Sequence, residues 1–142
     1  MIFHATHADK QFGMKQVKGR TIIKSSDTDV LVFAVHFFPS LKHTKELWLQ
    51  TGSITSTKDG RRFIPVHEIV NSLNPVFCPV LPAAHALSGC DTTSSMLGIG
   101  KRTVYKVLKS KSEEFRVLVL LGECNVDDSL AVSSEFAASL YD

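Results

Sequence analysis

The sequence predicts an α/β fold, a sheet with a helical flank, and three observations predict it. Short β-branched or apolar runs bounded by polar turns lie in the first half, at residues 21–24, 47–50 and 62–64. Segments with apolar residues at helical spacing dominate the second half. Strand-like and helix-like stretches alternate between them, the pattern of a sheet covered by helices. A chain of 142 residues, 44% hydrophobic and 21% charged, is expected to form a single domain, residues 1–142, with a substantial core.

In chain order, residues 2–10 are expected to be helical. No cap residue precedes them, so the chain is read as N-terminally incomplete. A loop containing Gly13 and Gly19 follows, and Thr21, Ile22, Ile23 and Lys24 then form a buried strand. The run from Val30 to Phe38 is apolar on all sides, so periodicity does not separate strand from helix. It is read as a helical turn leading into a strand, broken by Pro39 and Ser40. Residues 47–50 and 62–64 are expected to pair across a loop with Lys58, Asp59 and Gly60 at its turn. Pro65 opens a helix bearing Val66, Ile69, Val70 and Leu73, which Asn74 and Pro75 end. Further helices are expected at 81–88, 101–109, 113–121 and 127–141, the last capped by Asp127 or Asp128.

Composition narrows the function classes. A net charge of +2 permits a nucleic-acid partner without requiring one. Cys78, Cys90 and Cys124 are odd in number and widely spaced, which points to buried thiols in a reducing compartment and away from a disulfide framework or a zinc site. The apolar runs at 30–35 and 117–121 are too short to span a bilayer, and no basic-then-apolar segment opens the chain. The expectation is an intracellular protein, nuclear or cytoplasmic, neither secreted nor membrane-bound.

Asp27 and Asp29 follow the first strand. At i and i+2 in extended chain, both carboxylates would project to one face, where a hard divalent cation takes oxygen ligands. The competing reading is a polar turn in which Ser26 or Asp27 caps the next helix. Asp91 ends an apolar run, and Gly98-Ile99-Gly100 then reads as a tight turn ahead of a basic segment. Backbone N–H groups at such a turn, with the positive end of a helix, suit a phosphate. Arg102, Lys106 and Lys109 share one helical face, and Val104, Val107 and Leu108 supply the buried one. A plain connection with a solvated charged face remains the alternative.

Other chemistries find no support in the spacing. His4 and His7 lack further ligands at metal-binding spacing, while His67 and His85 read as satisfied core or surface residues. Ser88-Gly89-Cys90 is not a nucleophile elbow, and Gly100-Lys101 is followed by Arg102 where a phosphate-binding loop needs Ser or Thr.

Together, Ser26-Asp27-Thr28-Asp29 and Leu87-Ser-Gly-Cys-Asp91 with Gly98-Ile99-Gly100 resemble the flap-endonuclease/XPG-type structure-specific nucleases. The chain is also similar to animal PIN-like proteins of unassigned activity that share the Ser-x-Asp-Thr-Asp and Ser-Gly-Cys-Asp-Thr-Thr patterns. The resemblance covers about residues 1–110. It implies a PIN-like three-layer α/β domain with a helix–two-turn–helix element at 81–110 that grips duplex DNA by its backbone. It further implies magnesium- or manganese-dependent phosphodiester hydrolysis of structured DNA, or of RNA, with Asp27, Asp29 and Asp91 as catalytic metal ligands. Gly98, Ile99, Gly100, Lys101, Arg102 and Lys106 would hold phosphates. Lys101 stands where the family has Pro, and the family's first acidic group has no counterpart, Asp9 lying on the wrong side of the expected position. A catalytically dead nucleic-acid-binding module and a protein-interaction domain are the competing readings.

Overall fold

In the computed structural model, which describes residues 1–55, 58–111, 113–121, 123 and 125–141, the β-branched run around Ile22 forms strand β1 (Gly19–Lys24). Strand β2 (Thr44–Thr51) lies parallel to it, with Ile22 opposite Trp48 and Ile23 opposite Leu49. Strand β3 (Arg62–Pro65) runs antiparallel to β2, so the mixed sheet has the order β1-β2-β3. The fold class is thus α/β, and the expected pairing of residues 47–50 with 62–64 is present. Ile23, Leu47 and Leu49 are buried.

Two compact units divide the chain, Met1–Leu73 and Asn74–Asp142. In the first, helix α2 (Thr28–Phe37) connects β1 to β2 and continues into a 3-10 turn, Phe38–Ser40. The expected strand at the end of the Val30–Phe38 run is therefore corrected to helix. Parallel neighbours need a crossover, and Asp27 starts it: its backbone is extended (φ −83°, ψ 128°) and its side chain accepts from Asp29 N. Tertiary demand overrides the β preference of Val30, Val32 and Val35.

Helix α1 (Ile2–Met14) is longer than expected and contains Gly13, while Gly19 belongs to β1. Neither glycine is a loop residue, because close packing is what requires them. A Cβ on Gly13 would lie 2.8 Å from the His43 ring, and one on Gly19 would lie 2.2 Å from the Phe12 ring. Asp9 fastens the same helix at the start of β2. Only 7% exposed, its Oδ1 accepts from His43 N (2.7 Å), Thr44 N (2.6 Å) and Thr44 Oγ1 (2.9 Å), and its Oδ2 accepts from Lys42 N (3.1 Å). Helix α3 (Val66–Ser72) follows β3 directly, with Pro65 as its N-cap. Its His67 meets the Leu47 carbonyl through Nδ1 at 3.0 Å and the Trp48 ring edge-on at 5.1 Å, a satisfied histidine as expected.

The second unit is helical. Helix α4 (Phe77–Leu87) begins before the expected Leu81 and includes Pro79 and Pro82. Pro79 lies in the first turn, where an N–H has no intrahelical partner, so it costs the helix nothing. Helix α5 (Lys101–Ser110) is as expected. The helix expected at 113–121 is a 3-10 stretch, Glu114–Leu120, which places the buried Phe115 and Leu118 on one face at i and i+3. Helix α6 (Val126–Ser139) is capped by Asn125, which accepts from Asp128 N at 2.9 Å, so Asp127 and Asp128 stand in the first turn instead of at the cap. Phe77, Val80, Leu108, Leu118 and Phe136 are essentially fully buried, each contributing about 1.5–3 kcal/mol. Phe115 meets Phe136 edge-to-face at 5.1 Å.

Burial pushes the Asp9 carboxyl up, but the donors of His43, Thr44 and Lys42 together hold it below the usual carboxylate range. A carboxylate depressed on folding stabilises fully above its unfolded pKa of about 3.9, and that contribution is lost as pH falls through the folded value. Asp9→Ala, which strands these amides, is expected to lower stability by about 2–4 kcal/mol in urea unfolding at pH 7. The difference from wild type should shrink as the pH is taken below 4.

Candidate nucleic-acid interface and acidic residues

The acids of the first unit follow β1 directly. Ser25 N bonds to Gln50 O at 3.0 Å, extending the parallel ladder by one rung, and the chain then turns into α2. Asp27 is exposed, its N–H donates to Ser25 Oγ (3.1 Å), and its Oδ1 accepts from Asp29 N (2.8 Å). Asp29 is half-buried in the first turn of α2. The expectation of two carboxylates on one face of extended chain is corrected, since the helix begins between them at Thr28. Asp27 is the cap that the competing reading allowed, while its Oδ2 lies outside the capping bond. Asp91 belongs to the second unit, exposed in the turn after α4.

That turn is built from backbone-directed bonds. Gly89 adopts φ +96°, and a Cβ there would lie 2.4 Å from the backbone of Ser95. Cys90 N donates to Thr93 Oγ1 (3.0 Å), which itself donates to Ala86 O (2.6 Å). The Lys101 ammonium, expected at a phosphate, instead closes the end of α4. It donates to His85 O (2.8 Å), to Ser88 Oγ (2.9 Å) and to the Gly89 carbonyl. A cation among the last carbonyls of a helix is favoured by the helix dipole, and three donors match three acceptors here. Nothing in the spacing of Lys101 from His85 announces this contact, which only the fold creates.

Gly98 has φ +74°, a left-handed conformation that favours glycine. Gly100 is the N-cap of α5, extended at φ −91° and ψ 160°, and no side chain caps the helix. A Cβ on either glycine would meet open space, so the turn presents its backbone to solvent. Ile99 between them is half-buried, and its N–H bonds to Met96 O at 3.3 Å. Tyr141 Oη donates to Leu97 O (3.1 Å), tying the turn to the chain just beyond α6. Arg102, Lys106 and Lys109 are all exposed, whereas Val104 and Leu108 are buried and Val107 is half-buried. The face is basic without an interspersed acid, as the sequence of α5 contains none.

The thiols divide by environment. Cys78 is buried, and burial pushes its pKa up. Cys90 is half-buried, not buried as expected, and hydrogen bonding to the Thr92 and then the Thr93 hydroxyl holds its thiol below the usual range. Cys124 lies outside the described residues. Among the described residues no three His, Cys, Asp or Glu side chains gather into a group that could hold a metal, and no helix is long and apolar enough to cross a membrane. No protein-family model, curated protein or solved structure matches this chain.

Lys101→Met is expected to destabilise the second unit by about 1–2 kcal/mol, the worth of a partly exposed charge-assisted cap. Arg102→Met, with its head in solvent, should change stability by no more than about 0.5 kcal/mol. Thermal unfolding monitored through Phe77–Leu87 amide signals would rank the two.

Proposed function

We propose that this chain is a nuclease-like domain that engages structured nucleic acid, DNA or RNA, through the sugar-phosphate backbone, with phosphodiester hydrolysis as its associated chemistry. One observation carries the reading: the turn at Gly98–Gly100 leaves the start of α5 without a side-chain cap and delivers it beside the exposed cations Arg102 and Lys106. Backbone amides and a dispersed positive face recognise phosphate without reading bases. Lys101 drops out of this set, since its ammonium serves α4.

The acidic residues fit the reading in part. Asp27 and Asp29 present carboxylate oxygens, the donor type preferred by Mg2+ or Mn2+, and two carboxylates completed by water and substrate phosphate are a common way to hold Mg2+. When bound, such an ion would polarise a phosphate oxygen and lower the pKa of attacking water. Asp27 would contribute through Oδ2 while Oδ1 keeps the cap, and Asp91, which belongs to the second unit, is not counted with this pair. The capping bond favours a second reading, a module of the same kind that binds the backbone without cleaving it. A PIN-like arrangement of the sheet belongs to the same proposal.

Two outcomes test it. Fluorescence anisotropy with a branched duplex should show affinity falling with salt, and Arg102→Gln or Lys106→Gln should each reduce the log–log slope by about 1. Slopes equal to wild type would remove the basic face from the interface. Asn caps a helix about as well as Asp, so Asp27→Asn should change stability by less than about 1 kcal/mol. The same substitution should weaken Mn2+ binding by about tenfold in calorimetry, the scale of one lost charged interaction. Unchanged Mn2+ affinity would leave the non-cleaving module.

A further inference from the structure

A second polar feature lies at the carboxyl end of the parallel pair β1 and β2, where α/β sheets commonly place ligands. It is an open hollow of about 400 Å³ lined by Lys24, Ser25, Ser26, Gln50, Gly52 and Ser53. Its position follows from the register: Lys24 is opposite Gln50, and both precede the points where the strands turn away. Gly52 takes φ +72°, with Gly60 O against the place a Cβ would occupy, so the chain after β2 bends back sharply and brings Ser53 to the rim.

The chemistry of the lining is uneven in an informative way. Among the described residues the Lys24 ammonium, the Gln50 carboxamide and the Ser26 and Ser53 hydroxyls make no hydrogen bond or ion pair with protein. Ser25 Oγ accepts from Asp27 N, which leaves its hydroxyl proton to donate. The residues that line the hollow thus carry one full positive charge and several neutral donors, with no carboxylate among them. That is the donor set of a small oxyanion. Asp27 already caps α2, so the first amides of that helix are not counted among the donors.

We infer that this hollow seats a phosphate group, with Lys24 as the charged partner and Gln50, Ser26 and Ser53 as neutral donors. Asp27 and Asp29 next in sequence repel a second negative charge, which makes the seat weak for free phosphate and favours a singly charged phosphodiester. The inference does not rest on the α5 interface: the seat lies within the first unit and uses none of the α5 residues.

The test is a titration of the isotopically labelled 142-residue chain with inorganic phosphate at constant ionic strength, followed by amide NMR. Saturable shifts are expected at residues 24–27 and 50–53, with affinity reduced by about tenfold in Lys24→Gln, the loss of one charge-assisted hydrogen bond. Ser53→Ala should weaken it less, and Lys45→Gln, exposed on β2 outside the lining, should leave it unchanged. Parallel titrations with a nucleoside 5′-monophosphate and a short oligonucleotide identify the source. Tighter binding of either at the same amides assigns the seat to nucleic-acid phosphate, and equal binding assigns it to phosphate alone. Linear shifts without saturation, or equal affinity of wild type and Lys24→Gln, would overturn the inference. Because neither result involves Arg102 or Lys106, failure here is distinct from failure of the α5 interface.

Discussion

A carboxylate taken out of water must find donors, and in this protein Asp9 finds three successive backbone amides, Lys42 to Thr44. The arrangement fixes where α1 crosses the start of β2, and hence which strand register β1 can adopt beside it. The glycine at each nearby contact follows from the same closeness, Gly13 under His43 and Gly19 under Phe12. Without the carboxylate, the chain entering β2 would carry unpaired N–H groups at a helix–sheet junction, where water is partly excluded.

The second unit solves the complementary problem. The carbonyls that end α4 need donors, and the Lys101 ammonium reaches back from the first residue of α5 to supply them. One side chain therefore ties the end of one helix to the beginning of the next. Fixing that span leaves the intervening Gly98–Gly100 turn facing solvent and aims the remaining cations of α5 outward. A residue that looked like a ligand for phosphate is the support that holds the Gly98–Gly100 turn in place.

Much of the fold was legible because local signals and tertiary structure agree. Helix α5 has an apolar stripe at Val104 and Leu108 opposite charges, and β2 with β3 has its turn residues between two short runs. Agreement failed where a signal has two physical meanings. The Val30–Phe38 run is as apolar as a buried strand, and only the parallel pairing of its neighbours makes it a crossover helix. Pro79 lies ahead of the expected start at Leu81, yet it sits where a helix needs no N–H, and α4 begins before it. Phe115 and Leu118 fit α or 3-10 spacing equally. In the candidate site, Asp27 was legible both as ligand and as cap, and the structure shows the cap. The roles of Asp9 and Lys101 were not legible, because each depends on partners 12 to 35 residues away that no local pattern couples. The pairing of Lys24 with Gln50 was not legible for the same reason, since only strand register joins them.

The central claim is that the turn before α5 meets a nucleic-acid backbone. The most direct measurement is amide chemical-shift mapping of the chain on addition of a branched duplex at fixed salt. The account predicts the largest shifts from Gly98 to Thr103 and along the Arg102–Lys106 face, with little change on α1. Shifts that are absent, or that concentrate away from α5, would contradict it.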